Sequence, residues 1–229
     1  MRSKKKIAPG KTQTKILIVD DHPMMREGLR QIIGTESDLV VAGEAENAFQ
    51  ALDLVGKLQP DLVLVDITLP DKSGLELIKD LQAMHPRMPV LVISMHDETL
   101  YAERVLRAGG RGYIMKHEGG RKIMQGIRQV LSGQISVSEK MSARILEVFS
   151  GHRAGASSSP VENLTDREFE VFRHIGEGLS TREIAGEMRV SPKTVEAHRI
   201  NVKRKLSLKT MAELIRYAVR WVESQSPKR

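Results

Sequence analysis

Short apolar runs alternate with longer amphipathic stretches through the first half of the chain. Runs rich in Val, Ile and Leu are typical of buried strands, and they occupy residues 15–20, 39–45, 61–66, 89–94 and 112–116. The stretches that follow them place apolar residues at helical spacing, at 24–33, 48–58, 74–84, 99–109 and 120–131. Strands that are apolar on both faces are typical of a parallel sheet covered by helices. The pattern therefore predicts an α/β doubly wound domain with a five-stranded parallel sheet.

The periodicity changes after this region. Residues 138–149 predict a short helix, and residues 150–163, rich in Gly, Ser and Pro, are typical of an interdomain linker. Beyond them only helical periodicity remains, with a capping box at Thr165 and Glu168. Two short helices joined by a tight turn, the second one basic, predict a helix-turn-helix. The predicted division is a tail at 1–14, an α/β domain at 15–134, a linker at 135–163, an all-α domain at 164–224 and a tail at 225–229.

Charge separates the two predicted domains. Residues 16–136 carry 13 basic and 17 acidic side chains, a net charge of −4, whereas residues 164–229 carry 14 and 9, a net charge of +5. A basic module joined to an acidic body indicates a surface for nucleic acid. Aromatic residues make up only 3% of the chain, which disfavours a stacking platform for single strands.

Three features of the sequence bear on its compartment. The chain has no cysteine, which excludes disulfides and thiolate metal sites. Residues 1–14 are basic but lack the apolar segment of a signal peptide, so they predict a flexible tail. No apolar run approaches the ~18 residues needed to cross a bilayer. The expectation is a cytoplasmic protein with no membrane partner.

Polar side chains follow four of the predicted strands. Open α/β sheets bind ligands at the carboxyl ends of their strands, and neighbouring first and third strands would bring Asp20, Asp21 and Asp66 together. Three crowded carboxylates repel one another without a cation, which predicts a hard divalent ion such as Mg²⁺. Lys116 offers a point charge for a phosphoryl oxygen and Ser94 a hydroxyl donor. A carboxylate in that pocket can act as a nucleophile on phosphorus.

Other interpretations remain open at this point. Each polar residue alone could cap a loop or end a strand. A phosphohydrolase could use Asp66 or the "DDH" of residues 20–22, but Thr68 stands where a second acid would be expected. No further cluster of histidines and acids occurs at metal-ligand spacing. A DNA-binding protein with a degenerate, ligand-sensing α/β domain is a third interpretation, which the intact acidic set disfavours.

The motifs "VDDHP", "DITLPDKSG", "VLVIS" and "GYIMK" resemble those of a known family. Residues 15–134 resemble the receiver domain of bacterial two-component response regulators, which has a flavodoxin-like fold. Residues 164–224 resemble the LuxR-type helix-turn-helix, and together the two resemble the NarL/FixJ class. The resemblance implies a phosphorylation-controlled transcription regulator rather than an enzyme. It also implies a histidine kinase, double-stranded DNA and RNA polymerase as partners, and a homodimer when phosphorylated.

The resemblance also assigns roles to the pocket residues. Asp66 is implied to be the phosphoacceptor. The other roles fall to Asp20, Asp21 and the Thr68 carbonyl as Mg²⁺ ligands beside Asp66, to Ser94 and Tyr113 as switch residues, and to Lys116 as the phosphate-binding lysine. Met95 departs from the family's commonest pattern, in which a small residue follows the switch hydroxyl. Its bulk is expected to narrow solvent access to the phosphoryl group and so to change the lifetime of that state.

The second helix of the helix-turn-helix is expected to enter the major groove with its N-terminal end. Val195, Val202 and Leu206 form an apolar stripe for burial. The resemblance implies DNA contacts at Lys193, Glu196, Ala197 and Ile200 toward bases, at Thr194, Asn201, Lys203 and Lys205 toward phosphates, and at Arg199. Many relatives have lysine where Glu196 stands. A glutamate can accept a hydrogen bond from cytosine N4, so the sequence preference is expected to differ.

Overall fold

A computed structural model describes residues 13–149 and 160–225 of the chain. Most of the predicted tail at 1–14, linker residues 150–159 and nearly all of the tail at 225–229 lie outside the described residues. The chain divides into two compact units, Met1–Ile145 and Leu146–Arg229. Among the described residues, no helix combines the length and the apolar character needed to span a bilayer.

The first unit contains a five-stranded sheet in the order β2-β1-β3-β4-β5. All four strand pairs are parallel. The strands are β1 (Thr14–Val19), β2 (Leu39–Ala45), β3 (Leu62–Val65), β4 (Val90–Ser94) and β5 (Gly112–Met115). The doubly wound parallel sheet predicted from the apolar runs is confirmed. Because β1 and β3 are neighbours, the residues that follow them meet at one edge of the sheet.

Five helices follow the strands in turn. They are α1 (Pro23–Gly34), α2 (Ala48–Leu58), α3 (Gly74–Met84), α4 (Glu98–Arg107) and α5 (Gly120–Leu131). Their starts are set by side chains that accept backbone N–H groups, namely Asn47 for α2, Ser73 for α3 and Asp97 for α4. Aliphatic side chains of β1, β3 and β4 pack against those of α1 and α5 in a core with almost no solvent exposure. The sheet is thus a rigid platform for the loops at its carboxyl edge.

Two residues of the loop after β3 fix its path. A Cβ at Gly74 would lie 2.2 Å from the backbone oxygen of Asp66, so only glycine allows α3 to start this close to the strand end. Asp71 accepts hydrogen bonds from the N–H groups of Ala48 and Phe49, each at 2.9 Å. The loop is therefore tied both to Asp66 and to the N-terminus of α2.

The chain beyond α5 continues to pack on the first unit. Ser136 forms an isolated parallel bridge with Gly112, and Tyr113 N–H donates to its carbonyl at 2.8 Å. Ser138 N–H donates to the buried Glu98 carboxylate at 2.7 Å. Helix α6 (Glu139–Phe149) follows. The segment 134–138 therefore lies along β5 and contacts α4.

In the residues of the second unit that the structure describes, the regular elements are all helices. A 3-10 turn at Pro160–Asn163 leads into α7 (Asp166–Gly176), α8 (Thr181–Glu187), α9 (Pro192–Lys205) and α10 (Met211–Gln225). The predicted capping box at Thr165 and Glu168 is present at the start of α7. Trp221 of α10 packs edge-on against Phe169 and Phe172 of α7, with ring centroids 5.6 Å and 5.5 Å away. The predicted helix-turn-helix is formed by α8 and α9.

Candidate functional site

The carboxyl ends of β1, β3 and β5 meet in an acidic pocket. Asp20 and Asp66 are only 2% and 4% exposed. The Lys116 ammonium lies 2.7 Å from Asp20 Oδ2 and 2.7 Å from Asp66 Oδ2, so one cation bridges both carboxylates. The structure thus brings together three of the residues that the strand-end argument selected.

Burial and pairing shift the pKa values of these groups in defined directions. Burial raises the pKa of the Asp66 carboxyl above its ordinary value, and the Lys116 charge opposes that rise. Burial would lower the pKa of Lys116, but the Asp66 and Asp20 carboxylates outweigh it and the pKa of the ammonium is raised. Lys116 therefore stays charged, and it provides the positive potential that Asp66 needs to remain an anion.

Asp21 and His22 complete the acidic side of the pocket. His22 Nδ1 lies 2.8 Å from Asp21 Oδ1 and 3.2 Å from Asp20 Oδ1. One ligand atom from each of Asp20, Asp21, His22 and Asp66 lies within 4.8 Å of the others. Three carboxylates in one group suit a hard divalent ion, whereas a single exposed histidine is not essential to such a set. The donors present therefore fit Mg²⁺.

A second group of contacts surrounds Ser94 at the end of β4. Ser94 is fully buried, and its Oγ accepts the N–H of His96 at 3.3 Å. The hydroxyl of buried Tyr113 donates to the His96 carbonyl at 2.8 Å, and burial raises the pKa of that phenol, so it remains a donor. The His96 ring stacks on Tyr101 at 5.0 Å and lies 3.0 Å from Thr68 Oγ1. His96 thus joins the loops after β3 and β4.

Sequence reasoning did not single out His96. It has no motif of its own, and its contacts depend on how two loops fold together.

Met95, by contrast, was expected to crowd the pocket. Its side chain is 67% exposed, so most of its bulk lies in solvent. The structure therefore offers no direct support for the narrowing that the residue's size suggested.

The residues of α9 that were predicted to contact DNA differ in their exposure. Lys193, Thr194, Ala197 and Ile200 are exposed, whereas Glu196, Arg199, Asn201, Lys203 and Lys205 are partly buried. The predicted apolar stripe of Val195, Val202 and Leu206 is buried. The helix is therefore amphipathic, and its N-terminal half presents polar and apolar groups to solvent.

Some of the predicted DNA contacts are engaged inside the unit. The Lys205 ammonium lies 2.6 Å from Glu168 Oε2 and donates to the Asn163 carbonyl at 3.4 Å. Burial raises the pKa of Glu168, but its bonds to Lys205 and Thr165 outweigh that effect, and its pKa lies below the ordinary value. Lys205 thus holds α9 against the start of α7, a role that its sequence position did not reveal.

A doubly wound sheet with an acidic pocket, followed by a helix-turn-helix unit, defines the class of two-domain DNA-binding regulators controlled by phosphorylation. The family models agree: residues 16–128 match the response regulator receiver domain, and residues 162–218 match the bacterial regulatory proteins of the luxR family. The chain belongs to the NarL-type response regulators, and its function is phosphorylation-dependent regulation of transcription.

Known relatives cover nearly all of the chain. The oxygen regulatory protein NreC of Staphylococcus carnosus is 33% identical over 210 residues, which are 90% of this chain and 97% of that protein. A LuxR-family response regulator from Aurantimonas sp. SI85-9A1 is 30% identical, with a TM-score of 0.56 over 61% of this chain and 99% of that one. RcsB from Salmonella enterica serovar Typhimurium, solved on promoter DNA with a phosphomimetic, shares the fold at 24% identity, with a TM-score of 0.60 over 91% of this chain and 100% of that one.

Proposed function

We propose that Asp66 accepts the phosphoryl group through which the DNA-binding unit is controlled. The observation that carries the proposal is the pair of 2.7 Å contacts from Lys116 to Asp66 and Asp20 in a buried pocket. An Asp66 oxygen attacks phosphorus and forms an O–P bond while the bond to the donor breaks, P–N for a phosphohistidine of a kinase. Because the Lys116 ammonium lies 2.7 Å from Asp66 Oδ2, it can bind an oxygen of a phosphoryl group attached to Asp66.

The proposed Mg²⁺ site consists of Asp20, Asp21, Asp66 and the Thr68 carbonyl. A divalent ion bound there would supply positive charge beside the oxygens of the phosphoryl group. The protein's own contribution is to hold three carboxylates at one edge of the sheet, with Lys116 limiting their repulsion. Chelation of divalent ions is expected to stop labelling.

The switch is proposed to run through Ser94 and Tyr113. Ser94 Oγ accepts the His96 N–H, and a serine hydroxyl that accepts one hydrogen bond can also donate its proton to a phosphoryl oxygen. Tyr113 holds the same loop through the His96 carbonyl. A shift of that loop on phosphorylation would change the surface around α4 and favour a homodimer.

The DNA interface is proposed to be the exposed face of α9. The unit that contains α9 carries a net positive charge, which favours attraction to DNA phosphates. Lys193, Ala197 and Ile200 are exposed in or next to the N-terminal half of the helix. RNA polymerase is proposed as the further partner through which bound protein changes transcription. The protein is expected to phosphorylate itself once rather than to turn over phosphomonoesters as an enzyme.

The test uses acetyl phosphate as a small phosphodonor with Mg²⁺. The full chain should gain one base-labile phosphoryl group by intact mass, and Asp66→Asn should gain none. Asp53→Asn, which removes an exposed acid of α2, is the matched control and should label normally. Full labelling of Asp66→Asn would overturn the acceptor. Sustained hydrolysis of a phosphomonoester by the wild-type chain would favour the phosphohydrolase instead.

The same labelled protein tests the switch. Sedimentation should show more dimer after labelling, and affinity for duplex DNA should rise with it. Ser94→Ala should label yet respond weakly in both measurements. An identical oligomeric state with and without the phosphoryl group would contradict control through dimerisation.

A further inference from the structure

Three polar side chains join α8 to α9 in a closed triangle. Thr181, the first residue of α8, donates its hydroxyl proton to Glu196 Oε1 at 2.8 Å. Arg199 Nη1 donates to the same carboxylate oxygen at 3.0 Å and also to the Thr181 hydroxyl. The Arg199 side chain is only 16% exposed, whereas that of Glu196 is 47% exposed. The cation is therefore turned toward α8 and the carboxylate is at the surface.

The triangle fixes one oxygen of Glu196 and leaves the other available. Oε1 accepts two hydrogen bonds, whereas Oε2 accepts none within the part of the chain that the structure describes. A free glutamate side chain on a helix surface samples several rotamers, and ordering it on binding costs free energy. Because Arg199 and Thr181 already order this one, Oε2 is presented in a single direction before DNA arrives.

We propose that Thr181 and Arg199 are positioning residues that hold Glu196 as a fixed acceptor for one base in the major groove. The inference rests on the proposed binding of DNA by α9, and it moves Arg199 from the predicted DNA contacts to a supporting role. An anion aimed at a base edge must meet an amino donor, so the base recognised is cytosine through N4 or adenine through N6. Guanine and thymine present acceptors there and would be repelled.

The triangle predicts what an amide at this position would do. In Glu196→Gln, the two donors Thr181 and Arg199 select the rotamer that keeps the amide oxygen at the Oε1 position. The amide nitrogen then replaces Oε2 and presents N–H groups to the groove. The preferred base should therefore change from one with an amino group to one with an acceptor, rather than becoming random.

The experiment selects duplexes from a random pool with the full chain labelled by acetyl phosphate. Dissociation constants are then measured on the selected site and on its single base-pair variants. The wild-type chain should prefer cytosine or adenine at one base pair of each half-site, by about tenfold. Glu196→Gln should prefer guanine or thymine at that same base pair. Thr181→Val should keep the wild-type preference there but weaken it about threefold, and Thr181→Ser should restore it.

Two controls separate positioning from folding and from net charge. Trp221 is the single tryptophan and lies in the second unit, so its fluorescence should show the same unfolding midpoint for the Thr181 variants and the wild-type chain. Glu187→Gln removes an exposed acid of α8 outside the triangle and should leave base preference unchanged.

Different results would contradict the positioning role of Thr181 and Arg199 and the proposed binding of DNA by α9. If Glu196→Gln changes base preference but Thr181→Val does not, Glu196 reads a base without support and the positioning role is wrong. If Glu196→Gln alters affinity equally on every sequence, Glu196 reads no base. Failure of the labelled wild-type chain to select any duplex would overturn the DNA-binding function together with this inference.

Discussion

The charged side chains of Asp20, Asp66 and Lys116 in the acidic pocket are buried, whereas the charged groups of α9 are mostly at the surface. Asp20 and Asp66 are almost fully enclosed and share one ammonium ion, but the cations of α9 face water or are partly covered. Charges interact strongly where water is excluded and weakly where it screens them. The comparison suggests that single substitutions should disable the pocket, and that DNA affinity should be spread over many small contributions.

The largest effect is expected where the buried charges lose their partner. Lys116→Met leaves two buried carboxylates without their shared cation, which should cost about 3–5 kcal/mol of stability in the absence of Mg²⁺. The same change removes a cation that competes for the carboxylates, so Mg²⁺ should bind about tenfold more tightly. Calorimetric titration with Mg²⁺ measures the affinity. An unchanged Mg²⁺ affinity would contradict the role of Lys116 as a bridging cation.

A steric change beside the pocket should rank second. The Cβ of Gly74→Ala would meet the Asp66 carbonyl at 2.2 Å, so the backbone must move, at a cost of about 2–3 kcal/mol. Phosphorylation should slow because Asp66 moves with it. Gly56→Ala in α2 is the matched control, since nothing lies within 4 Å of its Cβ, and it should stabilise the unit by about 0.5–1 kcal/mol. Circular dichroism during urea unfolding compares them; equal effects of the two changes would be evidence against the steric argument.

A smaller effect, sensitive to pH, is expected in the second unit. The pKa of Glu168 is lowered in the folded state, so its stabilisation is present above the ordinary value of 4.5 and is lost as the pH falls through the folded pKa. Glu168→Gln should lower stability by about 1–2 kcal/mol at pH 7 and by much less near pH 3. Trp221 fluorescence follows this unit alone. A difference that stays constant with pH would show that the ion pair with Lys205 contributes nothing.

The smallest effects are expected for two lysines of α9, the exposed Lys193 and the paired Lys205, which should differ in their effect on the salt dependence of DNA binding. Lys193→Ala should lower the salt dependence of DNA binding by about one unit of slope, because one phosphate contact is lost. Lys205→Ala should change that slope less and reduce stability instead, since its ammonium already pairs with Glu168. Measurements on one duplex across a salt series compare them. Equal losses of slope would place Lys205 on the DNA.

Much of the fold and pocket followed from local patterns in the sequence. The bounds of α2, α3 and α5 agree with the predicted stretches because apolar spacing and capping residues act within a few residues. The strand-end rule also brought Asp20, Asp66 and Lys116 together, since parallel strands place their carboxyl ends at one edge.

Contacts between elements were harder to foresee. The bridging position of Lys116, the links made by His96 and the pairing of Lys205 with Glu168 depend on loop paths and helix packing that no single stretch encodes. Arg199 is the clearest example. The resemblance implied a DNA contact for this residue, and the structure adds a hydrogen bond from its guanidinium to Thr181 of α8 that no sequence pattern indicated.

The segment 134–138 also determines how much of the β5 edge of the sheet is exposed. Edge strands present unpaired N–H and C=O groups that can template pairing with another chain. Here Ser136 accepts from Tyr113 N–H and donates to the Arg111 carbonyl, so it covers the outer edge of β5. A receiver fragment that ends at residue 133 would uncover those groups, whereas one that continues through α6 would keep them paired. The chain that leads to the DNA-binding unit thus also satisfies backbone hydrogen bonds at the β5 edge of the sheet.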